Sequence, residues 1–364
     1  MDHSSLPYSG ICSSTFWLGI LGQHRNVYHL LADRKRQSEF STPGERSEGF
    51  NDVDCFVGQD RLVSHRQAPF ILRCSVPKTV SSFMKCILSL CLCLICSIGG
   101  PHSKTLADES FSGKKSDWNG FARYDFEIDG RPVLVVTPKT AAKGKPWVWH
   151  GEFFGHKPAP DIALLGKGFH IVYTQISNQF GSPAAVAHWN QVYRVLTEQH
   201  GFAKKAALVG VSRGGLYCYN WASQNPDKVA CIYGDAPVCD VKSWPMGKGH
   251  GVGSPNEVKN LLAAYDAKTE EELFAKLLNP IDTLKPLAAA HVPLLHVYGD
   301  ADEVVPWDEN TKIIAERYKK LGGEMILISK PGIGHVHGLD DSTPLIEFME
   351  THCLRAINAE PIKK

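Results

Sequence analysis

Between residues 121 and 330, short apolar runs alternate with amphipathic stretches, and the spacing of apolar positions switches repeatedly between strand-like and helical. Residues 121–128 alternate apolar and polar positions, and Asp129-Gly130 turns them into 131–136, which predicts an antiparallel hairpin with a half-solvated first strand. Residues 146–150 and 170–176 read as further strands, with a short helix between them at 161–165. Ser182-Pro183 offers an N-cap followed by proline at the first helical position. Val186, Trp189, Tyr193 and Leu196 then recur at three- and four-residue spacing, predicting an amphipathic helix that stops before Gly201. Residues 206–209, 229–233, 292–298 and 325–329 complete an alternation that implies a mostly parallel sheet covered by helices on both faces.

The alternation is interrupted between Asp235 and Val292 by about fifty residues, far beyond the usual few-residue connection. The first part, 244–253, is glycine-rich and predicts a loose loop, whereas 270–278 predicts a helix. Upstream of residue 110 the character of the chain changes. Residues 1–83 show no sustained period and are read as a non-native or disordered extension. Met84-Lys85, the apolar run 86–96 and Thr105-Leu106-Ala107 have the layout of a secretory signal peptide over 84–107, with a core too short to span a bilayer. The expected location is therefore secreted or periplasmic, and the expected catalytic domain is 116–357.

Composition adds little to this division. With 364 residues, 43% hydrophobic and 21% charged, the chain has ample material for a globular core, and a net charge of +1 gives no sign of a nucleic-acid partner. Seven of the 11 cysteines precede residue 107. The remaining Cys218, Cys231, Cys239 and Cys353 have no spacing that specifies a disulfide, and most are expected to act as small buried hydrophobes.

Candidate chemistry begins at Gly210-Val211-Ser212-Arg213-Gly214, a G-x-S-x-G between a buried strand and a helix-competent stretch. That context is a nucleophile elbow, a strained turn that projects a serine hydroxyl above the sheet. The strand at 292–298 runs into Gly299-Asp300-Ala301-Asp302, and the strand at 325–329 leads to Gly334-His335. The chain order is thus serine, acid, histidine, each after a predicted strand. A neutral imidazole takes the serine proton and an acid fixes the imidazole, so Ser212 is assigned as nucleophile, His335 as general base and acid, and Asp302 as orienting carboxylate. Asp300 in the same loop and Asp235 at the end of the preceding strand are rival acids. His337 is the rival base.

Through these three segments the chain resembles the α/β-hydrolase superfamily over roughly residues 116–357. The resemblance implies an α/β-hydrolase fold, a cap-like insertion at 238–290 after the sixth predicted strand, and Asp302 as the commoner choice of acid. It also implies two backbone donors for an oxyanion, the Arg213 N–H after the nucleophile and, in the esterase-like His150-Gly151-Glu152-Phe153 loop, the Glu152 N–H. Phe153, His150, Trp244 and His337 are the expected substrate contacts. The Ser212-Arg213 step is similar to that of glucuronoyl esterases, which motivates a carbohydrate-derived ester as substrate. No H-E-x-x-H, paired cysteine ligands or nucleotide-binding glycine fingerprint is present in the catalytic domain, so no cofactor or metal is expected. The competing expectations are a serine peptidase of prolyl oligopeptidase type, a non-catalytic binding protein of the same fold, and a lyase or haloperoxidase-like enzyme using the same triad.

Overall fold

The computed structural model describes residues 111–359. The extension at 1–83 and the leader at 84–107 lie outside the described residues. Among the described residues nine strands form one sheet: β1 (Lys114–Trp118), β2 (Phe121–Ile128), β3 (Arg131–Thr137), β4 (Trp147–His150), β5 (His170–Thr174), β6 (Ala206–Val211), β7 (Val229–Asp235), β8 (Leu294–Gly299) and β9 (Met325–Lys330). Their order is β1-β2-β3-β5-β4-β6-β7-β8-β9. The pairs from β1 to β5 through β3 are antiparallel, and all later pairs are parallel.

The predicted hairpin closes with Ile128 opposite Arg131. Asp129 and Gly130 both take positive φ, 51° and 69°, as a two-residue turn matched to strand twist requires. β1 was not anticipated by the apolar pattern, because its sequence KKSDW is almost entirely exposed and has no buried face to alternate with. Its signal is the turn, since Asn119-Gly120 repeats the same positive-φ geometry at 52° and 80°. The lysines on this edge strand oppose pairing with other chains.

Helices cover both faces. Along β3, Val133 and Val135 join one core with Trp149, Leu208 and Ile232, whereas Leu134 and Val136 join the other with Val148, Val209 and Tyr233. The first face is covered by α2 (Pro183–Arg194), which continues into a π-helical turn at Val195–Gln199, and by α3 (Gly214–Gln224). Trp149 stacks on Trp189 of α2 at 4.0 Å between ring centroids. The opposite face is covered by α1 (Ala159–Gly166) and α8 (Thr343–Ala359). All four cysteines of the described residues are buried and unbridged.

The long interruption folds as α4 (Pro255–Ala264), α5 (Glu270–Lys276), a 3-10 turn at Pro280–Asp282, and α6 (Lys285–Ala289). Its Leu261, Tyr265 and Leu273 bury against Phe180 and against Leu216 of α3, forming a third apolar cluster beside the elbow helix. The glycine-rich segment is not a loose loop. Glu309 accepts hydrogen bonds from the His250 backbone N–H and the Ser243 hydroxyl, both at 2.6 Å, and the Val252 N–H donates to the Glu303 carbonyl at 2.7 Å. α7 (Thr311–Lys320) follows and leads into β9.

Candidate active site

β6 ends at Val211, α3 starts at Gly214, and Ser212 between them takes φ +48°, a left-handed value that costs a non-glycine residue on the order of 1–3 kcal/mol. The turn is locked from both sides: the Ser212 N–H donates to the Asp235 carbonyl at 2.9 Å, and its carbonyl accepts from Gly215 and Val238 at 3.0 and 2.8 Å. Glycine at 210 is required by this crossing, because a Cβ there would stand 3.0 Å from the Gly215 Cα.

Ser212 Oγ lies 3.0 Å from His335 Nε2, and His335 Nδ1 lies 2.7 Å from Asp302 Oδ2. The other Asp302 oxygen accepts the Val304 and Val305 N–H groups, each at 2.9 Å, so the buried carboxylate is fixed before it meets the histidine. The rival acids are engaged elsewhere. Asp300 Oδ1 accepts the Gly332 N–H at 2.6 Å, and Asp235 Oδ2 accepts from the Tyr233 hydroxyl at 2.9 Å and the Gly338 N–H at 2.6 Å. Burial raises the Asp235 carboxyl above the usual carboxylate range.

The His335 loop is held from below. Lys330 Nζ donates to the carbonyls of Val336 and Gly338, while Asp235 takes the Gly338 N–H. His337 packs its ring against that of His335 at 4.7 Å. Burial, helped by the neighbouring His335 and His156, pushes the His337 imidazole down to about 3, too weak a base to activate a hydroxyl near neutral pH.

The backbone of Gly151 and Glu152 runs against the elbow. A Cβ on Gly151 would stand 2.5 Å from the Gly214 carbonyl oxygen, and one on Gly214 would stand 3.1 Å from the Glu152 nitrogen. Among the described residues, neither the Glu152 N–H nor the Arg213 N–H donates to a backbone carbonyl. Two N–H groups beside Ser212 are thereby left without a backbone acceptor.

The surroundings of Arg213 were not legible from its motif. Its guanidinium lies over the rings of Phe153 and Phe180, 5.5 and 5.8 Å from their centroids. It donates to Asn178 Oδ1 at 3.0 Å and to Glu257 Oε2 of α4 at 3.3 Å, and faces Glu152 Oε1 at 3.5 Å. The Glu152 side chain is buried, and that burial raises its carboxyl against the opposing pull of Arg213. The Tyr217 hydroxyl accepts the N–H groups of Gln179 and Phe180 and donates to the Ile176 carbonyl, which fixes the loop bearing Asn178 and Phe180.

The expected substrate contacts separate. Phe153 is 40% exposed beside Arg213, and Trp244 packs near Phe180 at 6.3 Å. His150 does not share their position: its ring is buried and its Nε2 lies 3.0 Å from Asp161 Oδ1 of α1, because β4 directs this side chain into the core. Among the described residues no cluster of three or more His, Cys, Asp or Glu side chains is arranged to hold a metal ion, and no helix is long and apolar enough to cross a membrane.

The sequence profile of the prolyl oligopeptidase family matches residues 186–352, a stretch that contains the elbow, the insertion, Asp302 and His335. Homoserine O-acetyltransferase of Gibberella moniliformis is 23% identical over 159 residues, covering 37% of this chain and 34% of that protein. A crystal structure of puromycin hydrolase superposes with a TM-score of 0.50 and 16% identity, covering 66% of this chain and 40% of that one. Acetyl xylan esterase 1 from Thermoanaerobacterium sp. JW/SL YS485 gives a TM-score of 0.46 and 16% identity, with 66% and 86% covered. The chain thus spans about a third of the curated relative and two fifths of the puromycin hydrolase chain. At these identities the structural likeness is one of fold. The chain therefore has the α/β-hydrolase fold, with a serine, an acid and a histidine following β6, β8 and β9 in the order the motifs predicted.

Proposed function

We propose that the protein is a serine hydrolase that cleaves a carboxylic ester through an acyl-enzyme. The observation that carries this reading is the continuous Ser212-His335-Asp302 relay, with contacts of 3.0 and 2.7 Å. Ser212 Oγ attacks the ester carbonyl as its proton passes to His335 Nε2, and Asp302 stabilises the imidazolium. The tetrahedral oxyanion is held by the N–H groups of Arg213 and Glu152. Collapse expels the alcohol, which takes the proton from His335. A water deprotonated by the same imidazole then attacks the acyl-enzyme, releasing the acid and free Ser212.

The exposed ring of Phe153 beside Arg213 supports a substrate bearing a flat apolar or sugar-ring face. Arg213 is already opposed by Glu152 and Glu257, which argues for a neutral group beside it over the carboxylate of a uronate ester. Export is part of the same reading, and a secreted product beginning just after Ala107 is its expected sign.

The match to the prolyl oligopeptidase profile supports a second reading, cleavage of a peptide or aryl amide by the same relay. Initial rates on a short-chain aryl ester and on an aminoacyl aryl amide separate the two. The ester reading expects hydrolysis of the ester with little amide turnover, lost in Ser212→Ala. A higher kcat/KM for the amide selects the peptidase, and equal rates in wild type and Ser212→Ala reject both.

A further inference from the structure

Beside the His335 loop lies a small cavity of about 30 Å³, room for a water molecule. Residues of the relay do not line it. Its walls include His150 at the end of β4, Asp235 at the end of β7, and His337 and Gly338 of the histidine loop. Each of the first three also carries a buried polar atom with no hydrogen-bond partner: His150 Nδ1, Asp235 Oδ1 and His337 Nε2. His150 and Asp235 are only 4% and 2% exposed. Buried polar atoms without partners each cost about 1–3 kcal/mol, so three of them on residues that line one cavity point to a ligand that satisfies all three.

The proton inventory specifies that ligand. His150 Nε2 is committed to Asp161 Oδ1, which in the neutral ring puts the proton on Nε2 and leaves Nδ1 as an acceptor. Asp235 Oδ1 is also an acceptor, its partner oxygen being taken by Tyr233 and Gly338. His337 Nε2 can carry a proton and donate. Two acceptors and one donor complement a water molecule.

We propose that a single bound water accepts from His337 Nε2–H and donates to Asp235 Oδ1 and His150 Nδ1, and that through it Asp235 is a positioning residue for the His335 loop. The water would tie the strand end that leads into Gly151-Glu152 to the β7 carboxylate and the histidine loop, which the Gly338 N–H already joins to each other. The positioning role rests on the reading of His335 as the base of the relay; the water site does not.

A crystal structure of the full chain at a resolution that shows ordered solvent tests the site directly. The expected result is one solvent peak within hydrogen-bonding distance of all three atoms. Absence of density there, or an anomalous signal from a metal ion, overturns the proposal whether or not Ser212 is catalytic. The positioning role is tested with Asp235→Asn and, as an independent disruption, His337→Leu. Each is expected to lower kcat roughly tenfold while KM stays within twofold, in protein that melts well above the assay temperature. Unchanged kcat in either folded variant, or a loss confined to KM, overturns the positioning role. Wild-type protein that a fluorophosphonate fails to label at Ser212 would count against the catalytic reading and the positioning role built on it, and leave the crystallographic result to judge the water.

Discussion

Ser212 owes its place to a positive φ that an ordinary serine would relax, and its N–H bond to the Asp235 carbonyl and the bonds it accepts from Gly215 and Val238 hold it there. The same economy of contacts separates the two aspartates of the acid loop. Asp302 faces His335 Nδ1, and Asp300 instead accepts a turn N–H. Asp302→Asn leaves the shape intact but favours the wrong imidazole tautomer, so kcat on an aryl ester is expected to fall by roughly 10³–10⁴. Asp300→Asn is expected to stay within about threefold, since its role is a surface turn. Steady-state kinetics on the two variants checks both, and equal losses would contradict the assignment. This much was readable in the sequence, because elbow, acid loop and histidine loop are each local motifs that follow a strand. The environment of Arg213 was not, since Glu152, Asn178, Phe180 and Glu257 reach it from four segments that only the folded chain brings together.

The insertion between β7 and β8 is tied to the elbow through α4. Glu257 reaches Arg213 at 3.3 Å, while Leu261 on the same helix joins the cluster that contains Leu216 of α3. Glu257→Gln keeps the volume and removes the charge of a partly exposed pair, so kcat/KM is expected to fall about threefold to tenfold with little change in melting temperature. A variant with wild-type kcat/KM would mean that α4 merely covers the elbow. The helical half of the insertion was anticipated from its 270–278 pattern, but α4 was not singled out. The segment at 244–253 reads as loose in the sequence because its glycines dominate its composition, whereas its partners, Glu303 and Glu309, lie about fifty to sixty residues downstream. Edge strand β1 escaped for the opposite reason: a charged strand carries no apolar period, and only the Asn119-Gly120 turn betrays it.

For the molecule as a whole, the sheet buries titratable groups that make its stability depend on pH. His296 in β8 is fully buried between the Tyr219 hydroxyl at 2.7 Å and the Thr311 hydroxyl at 3.0 Å, and burial pushes its imidazole from 6.5 down to about 3. A base with a lowered folded pKa contributes stability that is complete above its unfolded value and is lost as pH falls from about 6.5 toward 3. Acidification from pH 7 to pH 4 is therefore expected to cost about 3 kcal/mol through this residue, with His337 adding in the same direction. Melting temperatures should decline over that window, and His296→Gln should start lower at pH 7 and decline less steeply. A slope unchanged by the substitution would remove His296 as a cause.

A serine activated by His335 in this fold should react with an electrophile aimed at serine hydrolases. Intact-mass analysis of the full chain after exposure to a fluorophosphonate, followed by peptide mapping, tests it without knowledge of the substrate. The expected result is a single phosphonyl adduct on Ser212, absent in Ser212→Ala and slowed by at least about a thousandfold in His335→Ala. An unlabelled wild-type protein, or labelling of Ser212 at the same rate without His335, would contradict it.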